Sequence, residues 1–191
     1  MDEDGFSWKE EGRKKVFDCA IFSIRESYCR SARAGLRAYT VIDASDWVIV
    51  VPVLETAQGK KFVMARQWRH GSGCQTLEFP GGVCESGEDP AQAAAREMLE
   101  ETGYRPGSLR RLGALSPNPA IMSNRAHVFL AENLIDTGRT EFDPDEYVET
   151  ELVAIEDAMR GMGRPPYVHA LMGSALLYYL QDSRVVPPAS Q

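Results

Sequence analysis

The sequence lacks the features of zinc-finger, secreted and membrane-spanning proteins. Its four cysteines are scattered, without a CxxC or Cys/His spacing, so we expect free thiols rather than a zinc site or a disulfide framework. No apolar run approaches the roughly 20 residues that a membrane-spanning helix needs. The charged, polar start of the chain is not typical of a signal peptide. We therefore expect a cytoplasmic protein in a reducing compartment.

The chain also lacks an excess of positive charge. It carries 21 lysines and arginines against 28 aspartates and glutamates, a net charge of -7. Such a surface does not attract nucleic acid or an anionic membrane at long range, so neither is an expected partner. The composition fits a soluble enzyme that handles polyanions through local basic side chains or metal ions.

Alternating and continuous apolar segments indicate a mixture of strands and helices in an α/β or α+β domain with a mixed sheet. Strands are predicted at 16–24, 36–42, 47–54, 60–68, 126–134 and 147–155, and helices at about 90–102, 156–162 and 166–183. Pro52 within the third strand predicts a sheet edge or a bulge. Residues 1–15 are polar enough to form a loose arm, and we expect the tail after 184 to be disordered.

One helix has unusually clear end signals. Asp89 followed by Pro90 predicts an N-cap with proline at the first helical position. Gly103 is placed to end the helix in a left-handed conformation. The helix is therefore predicted from about Pro90 to Thr102.

Three glutamates lie near the end of this helix, where the helix dipole disfavours negative charge. Glu97 and Glu101 are four residues apart and share a face, which Glu100 borders. Arg96 and Glu100 have the spacing of an ion pair. The cluster is either a solvated acidic face or a site for a hard divalent cation such as Mg²⁺ or Mn²⁺.

The surrounding residues favour the cation site. The segment from Gly82 to Tyr104 resembles the signature of the Nudix hydrolases at every defined position. The pattern is G-x5-E-x7-R-E-U-x-E-E-x-G-U, carried here by Gly82, Glu88, Arg96, Glu97, Met98, Glu100, Glu101, Gly103 and Tyr104. The resemblance implies a Nudix-type α/β/α sandwich with a loop-helix-loop catalytic motif and N-terminal antiparallel strands. It also implies hydrolysis of a nucleoside diphosphate linked to another group.

The same resemblance implies a role for each signature residue. Metal ligands are expected at Glu97, Glu101 and Glu100 and at the backbone carbonyl of Gly81. A catalytic role is expected for Glu100 and for Arg96, which would orient the glutamates. Glu88 commonly faces the metals in this family and, with Gly82, is expected at the substrate.

Motifs outside the signature resemble the ADP-ribose and ADP-sugar pyrophosphatase branch of this family. They are "RQWR" at 66–69, "LEFPGG" at 77–82, Pro119 within the segment 116–134, and "DPDEYVETELV" at 143–153. Gly81 stands where the branch prefers alanine, and Asn-Pro replaces its usual Ser-Pro-Gly. The resemblance implies Mg²⁺-dependent hydrolysis of ADP-ribose or a related nucleoside diphosphate sugar to a nucleoside monophosphate and a sugar phosphate.

Residues outside the signature are expected to complete the site. Arg69 and Glu78 are substrate-site candidates, and Glu146 aligns best with the catalytic base, with Glu149 and Glu151 as fallbacks. Trp8 is the candidate for stacking on the base, whereas Trp47 and Trp68 stand in apolar runs that favour core packing. The three histidines show no ligand spacing and are interpreted as structural.

The resemblance implies a homodimer, in which N-terminal strands help to build the nucleotide pocket. The predicted organisation is an N-terminal arm and strands at 1–43, a Nudix domain at 44–184 and a disordered tail at 185–191. The alternatives for the substrate are coenzyme A, NADH, a dinucleotide polyphosphate or a nucleoside triphosphate. A non-catalytic sensing domain and an isopentenyl diphosphate isomerase are disfavoured by the intact glutamates.

Overall fold

A computed structural model of the chain describes residues 6–140 and 147–182. It contains eleven strands and three helices within those ranges. The strands are β1 Lys9–Asp18, β2 Phe22–Ser31, β3 Gly35–Ala44, β4 Trp47–Thr56, β5 Gly59–Arg69, β6 Cys74–Glu78, β7 Tyr104–Arg105, β8 Ser108–Leu115, β9 Ala126–Glu132, β10 Ile135–Asp136 and β11 Glu149–Ala154. The helices are α1 Pro90–Thr102, α2 Ile155–Gly161 and α3 Ala170–Gln181.

The chain divides into two compact units. Of the described residues, one unit contains 6–46 and 116–125, and the other contains 47–115, 126–140 and 147–182. In the larger unit, a mixed sheet runs in the order β11-β5-β4-β9-β8, and β6 pairs with β5. The β4–β9 pair is parallel, and the other pairs are antiparallel. This mixed sheet with helices confirms the predicted fold class.

The apolar residues of the larger unit form two clusters on the central strands. Val48 and Val50 of β4 pack with Ala94 and Met98 of α1. Ile49, Val51 and Val53, which alternate with them, belong to a second cluster that contains residues of α2 and α3. Because successive side chains of a strand point to opposite faces, α1 covers one face of the sheet, and α2 and α3 cover the other.

Pro52 lies in a central strand, so the prediction of a sheet edge or a bulge there is wrong. Its strand pairs with β9 over Trp47–Pro52 and with β5 over Val53–Thr56. Before Pro52, Val48 and Val50 donate to a loop that lies opposite β9, residues 80–82. The backbone nitrogen of Pro52 points to the same side as those of Val48 and Val50. At Pro52 the partner on that side changes from the loop to β5, so no backbone N–H is needed there for strand pairing.

The smaller unit is built on an antiparallel sheet in the order β1-β2-β3. Lys9–Lys15 belong to its first strand, so the prediction of a loose arm is wrong for those residues. Ion pairs connect the three strands of this sheet. Arg25 of β2 binds Glu10 of β1 and Asp43 of β3. The predicted tail at 185–191 lies outside the described residues.

The helices in the described ranges are short. The longest has 13 residues, and none of the three is long and apolar enough to cross a membrane.

Candidate active site

The glutamate-bearing helix α1 has both predicted ends. The Asp89 side chain accepts a hydrogen bond from the Ala91 N–H at 2.8 Å, and Pro90 takes the first turn. Gly103 ends the helix with a φ of 74°, and its N–H bonds to the Leu99 carbonyl. These caps satisfy groups that a helix leaves open at its ends, so they fix where the glutamate face begins and stops.

The loop at 80–82 lies along β4 and faces the glutamates of α1. Val48 and Val50 donate backbone hydrogen bonds to the carbonyls of Gly82 and Pro80, both at 2.9 Å. The Gly81 N–H donates to the Glu101 carboxylate at 3.1 Å. A Cβ on Gly82 would lie 2.5 Å from the Glu97 carboxyl carbon. The absence of a side chain at Gly82 therefore lets the loop backbone approach Glu97 directly.

The backbone around Gly81 leaves no room for a side chain. A Cβ on Gly81 would lie 2.1 Å from the Val48 carbonyl oxygen, and that backbone atom cannot rotate away. We expect Gly81→Ala to lower the free energy of unfolding by about 1–3 kcal/mol, because β4 or the loop must shift. Urea denaturation measures this loss.

Gly71→Ala is the matched control for this prediction, because nothing lies within 4 Å of the added Cβ. Its stability should stay within about 0.5 kcal/mol of the wild type. Equal stabilities for Gly81→Ala and the wild type would show that the loop does not press on β4.

Arg96 joins the acidic residues of the motif. Its Nε and Nη2 bind the two carboxylate oxygens of Glu88 at 3.0 and 2.9 Å. Its Nη1 binds Glu97 at 2.8 Å and Glu100 at 3.0 Å, which confirms the predicted i, i+4 ion pair. The Val83 carbonyl accepts from Nη2 at 3.1 Å. One planar guanidinium therefore sets the positions of three carboxylates and of the loop.

These contacts shift the pKa values of Glu88 and Arg96. The hydrogen bonds from Arg96 lower the pKa of Glu88, although its partial burial opposes that shift. The hydrogen bond to Glu88, together with the hydrogen bond to Glu97 and the charges of Glu97 and Glu100, raises the pKa of Arg96 further above its usual value, although partial burial opposes that shift. Glu88 and Arg96 are therefore both charged at neutral pH.

The donor set of α1 suits a hard divalent cation, because it consists of carboxylate oxygens beside a backbone loop. Among the described residues, however, no three His, Cys, Asp or Glu side chains stand together in ligating positions. Arg96 accounts for this arrangement, since its Nη1 lies between the carboxylates of Glu97 and Glu100. Glu101 is buried, with its carboxylate on the Gly81 N–H. The residues fit a cation by the chemistry of their oxygen donors.

A second ionic cluster is centred on Glu78, at the end of β6. The side chain of Glu78 is 2% exposed and binds the Arg69 guanidinium in a bidentate pair at 3.0 and 2.8 Å. Thr76 and His169 also bond to its carboxylate, each at 2.5 Å. Glu78 is therefore buried among protein donors rather than presented to a ligand.

The partners of Glu78 keep its buried carboxyl group ionised. Burial favours the neutral acid, but the hydrogen bonds from His169, Arg69 and Thr76 outweigh it and lower the pKa to about 2. Because the folded pKa lies below the ordinary value of 4.5, this group stabilises the fold above pH 4.5. That contribution is lost as the pH falls from 4.5 toward 2.

Glu78→Gln tests this pH dependence. At pH 7 we expect the variant to lose about 3 kcal/mol of unfolding free energy, because three donors lose their anionic acceptor. The gap to the wild type should shrink as the pH falls below 4.5. Urea denaturation between pH 7 and 3 measures it, with exposed Glu55→Gln as the control. A gap that stays constant over this range would contradict the lowered pKa.

The remaining predicted residues fall in several places. Trp8 lies in the smaller unit, 43% exposed, with its ring edge-on to Tyr39 at 5.2 Å. Trp47 packs against the core, as predicted. The same prediction for Trp68 is wrong, because it is 52% exposed and lines a cleft of about 280 Å³ with Tyr147.

The predicted catalytic base, Glu146, lies outside the described residues. The following strand, β11, begins beside α1, where the Thr150 hydroxyl donates to the Glu101 carbonyl at 3.3 Å. Of the fallback candidates, Glu149 lines the cleft with Trp68, and Glu151 is paired with Arg66.

Sequence reasoning missed the two donors that surround Glu78 besides Arg69. Thr76 is two residues from Glu78 in β6, where an alternating strand places both side chains on one face. That spacing is a usable signal. His169 is 91 residues away from Glu78 in sequence, and no spacing connects it to the site.

The fold and site together define a class of α/β/α protein with a glutamate-bearing helix behind a glycine loop. The crystal structure of an ADP compounds hydrolase shares this fold, with a TM-score of 0.78. The match covers 94% of this chain and 97% of that one at 21% sequence identity. A family model described as NUDIX domain matches residues 46–172, and the chain belongs to the NUDIX family.

Curated relatives agree with this family. The chain is 38% identical over 111 residues to an ADP-ribose pyrophosphatase of Bacillus subtilis (strain 168), covering 58% of this chain. The chain spans 60% of the length of that relative. It is 35% identical over 152 residues to a CMP-5'-(N-acetyl-N-hydroxy-3-aminopropyl)phosphonate hydrolase of Streptomyces rubellomurinus (strain ATCC 31215). That match covers 79% of this chain and 71% of the relative.

Proposed function

We propose that this chain hydrolyses the pyrophosphate bond of ADP-ribose or a related nucleoside diphosphate sugar with the help of Mg²⁺ or Mn²⁺. The products are a nucleoside monophosphate and a sugar phosphate. The observation that carries the proposal is the placement of Glu97 and Glu101 against the glycine loop of a NUDIX domain. Similarity to an ADP-ribose pyrophosphatase supports the choice of substrate class.

The cation would be held by carboxylates of α1 and by the loop. Its ligands would be Glu97, Glu101 and Glu100, with the backbone carbonyl of Gly81. A divalent cation in such a site neutralises the pyrophosphate, polarises a phosphorus centre and lowers the pKa of bound water. Arg96 bonds to both Glu97 and Glu100 and would orient them as ligands.

Other residues would bind the substrate and move the proton. Gly82, which has no side chain, would let the pyrophosphate approach the loop, beside Glu88. Arg69 would bind an anionic group of the substrate. Glu146 would accept the proton of the attacking water, so that a new P–O bond forms as the anhydride P–O bond breaks.

The proposal also includes an oligomeric state and a cellular location. We propose a cytoplasmic homodimer, in which Trp8 stacks on the base. The proposed organisation is N-terminal strands at 1–43 that serve dimerisation and the nucleotide pocket, and a Nudix domain at 44–184. Size-exclusion chromatography with light scattering measures the oligomeric state.

A second candidate substrate is a nucleoside monophosphate joined to a phosphonate. The Streptomyces relative named for that reaction matches over more of its length than the Bacillus relative does. The same glutamates and water would serve, because both substrates contain a P–O–P bridge. Only the group beyond the second phosphorus differs.

A substrate panel tests the proposal. ADP-ribose, ADP-glucose, GDP-mannose, UDP-glucose, NADH, coenzyme A, a diadenosine polyphosphate and a CMP-phosphonate would be incubated with Mg²⁺ or with EDTA, and the products identified by mass. We expect a nucleoside monophosphate from ADP-ribose or another diphosphate sugar, and no turnover in EDTA. Absence of hydrolysis across the panel would contradict the proposal.

A further inference from the structure

We propose that His169, at the start of α3, is a positioning residue that fixes Arg69 through Glu78 for binding an anionic group of the substrate. This inference rests on the proposed function. The chain of contacts is short, because His169 Nδ1 bonds to Glu78 Oε2 at 2.5 Å and Arg69 binds both oxygens of the same carboxylate. The structure thereby links the C-terminal helix to a candidate substrate residue.

The Glu78 carboxylate is fully used by protein donors. Its Oε1 accepts from Arg69 Nε and from the Thr76 hydroxyl, and its Oε2 accepts from Arg69 Nη2 and from His169. A carboxylate has about four acceptor positions, so this set occupies all of them. Glu78 is left with no position for substrate or metal, and its role is to hold the groups around it.

The state of the carboxylate also fixes the tautomer of His169. Glu78 is ionised at neutral pH, so it has no proton to give. The Nδ1 of His169 must therefore carry the hydrogen of this bond, whether or not the ring is charged. An asparagine at 169 would place an amide N–H near the same position, whereas alanine removes the donor.

Arg69 lies on the face of the sheet that α1 covers. The strand registers pair Ala65 of β5 with Glu78 of β6 and with Thr150 of β11, so these three point to one face. Thr150 donates to Glu101 of α1, which identifies that face. Arg69 is four residues after Ala65 in the same strand and therefore points to that side as well.

Glu78 and Arg69 differ strongly in their exposure to solvent. The side chain of Glu78 is 2% exposed, whereas that of Arg69 is 42% exposed. The guanidinium thus reaches the surface while one edge is fixed in the interior. A fixed arginine loses less side-chain entropy when it binds an anion, so its positioning strengthens binding.

A double-mutant cycle on binding tests the link. The affinity for ADP-ribose is measured by calorimetry in EDTA, without turnover, for the wild type, His169→Ala, Arg69→Ala and the double variant. We expect His169→Ala to weaken binding about tenfold, with little further loss in the Arg69→Ala background. The same loss in both backgrounds would overturn the inference, because the effect would not run through Arg69.

Three further variants separate positioning from general stability. His169→Asn should restore most of the affinity that His169→Ala loses, since the amide can donate to Glu78. Thr76→Val removes a different donor to Glu78 and should weaken binding in the same direction. His70→Ala, an exposed histidine next to Arg69 in sequence, should leave the affinity unchanged. Thermal unfolding of each variant confirms that it is folded.

The kinetic readout distinguishes this inference from the proposed function. If the wild type hydrolyses the substrate, His169→Ala should raise KM about tenfold and change kcat less than twofold. Wild-type affinity and KM in His169→Ala would overturn the positioning role alone. A wild type that neither binds nor hydrolyses any compound of the panel would overturn both.

Discussion

Glu101→Gln is expected to reduce the turnover of ADP-ribose about a thousandfold while the protein remains folded. A metal in an active site contributes several kcal/mol of transition-state stabilisation, and three powers of ten correspond to about 4 kcal/mol. Glutamine is nearly isosteric, and its amide oxygen can still accept from the Gly81 N–H. The variant therefore removes charge from the metal face and keeps the contact between helix and loop.

The control for this prediction is Glu55→Gln. Glu55 is a surface carboxylate, 81% exposed, whose ion pair with Lys60 lies at the β4–β5 hairpin. Its loss should change neither turnover nor the unfolding temperature measurably. Initial rates at saturating Mg²⁺ and circular dichroism melts give the two readouts. If Glu101→Gln keeps near-normal activity, the metal-site assignment is wrong.

Arg96→Ala is expected to lower both stability and activity. Removing the guanidinium leaves Glu88, Glu97 and Glu100 without their shared partner, and these carboxylates then repel one another. The Arg96 side chain is 29% exposed, so we expect a loss of about 1–3 kcal/mol, less than for a fully buried group. Turnover should fall about 10- to 100-fold, because metal ligands lose the partner that orients them.

Two variants refine the test of Arg96. Arg96→Lys keeps the charge but cannot reach the five acceptor atoms that the planar guanidinium binds, so turnover should stay well below the wild type. Arg160→Ala removes an exposed arginine paired with Asp157 and should cost no more than about 1 kcal/mol. If Arg96→Lys retains wild-type turnover, the charge rather than the geometry is what the site requires.

The helix at the site could be predicted from local sequence because its signals are local. Asp89, Pro90 and Gly103 act within one turn of the residues that they cap, so their effect does not depend on the rest of the fold. The ion pair between Arg96 and Glu100 follows from helical spacing in the same way. Arg96 also bonds to Glu88 and Val83, which attaches the loop before α1 to the helix.

Other features depend on contacts between distant segments. The sequence around Trp68 is apolar enough to suggest the core, but the extension of β5 beyond its buried part leaves that ring exposed. Pro52 suggested an edge, yet it lies where a central strand changes partners. His169 reaches Glu78 only because α3 begins beside β6, where the Leu77 N–H donates to the Pro166 carbonyl.

The most direct test of the account is calorimetric titration of Mn²⁺ into the wild type and into a variant with Glu97→Gln and Glu101→Gln. The account predicts that the wild type binds the cation and that the double variant loses at least tenfold in affinity, with its fold intact. Glu55→Gln should bind like the wild type. Equal binding by the wild type and the double variant would contradict the claim that the face of α1 holds the cation.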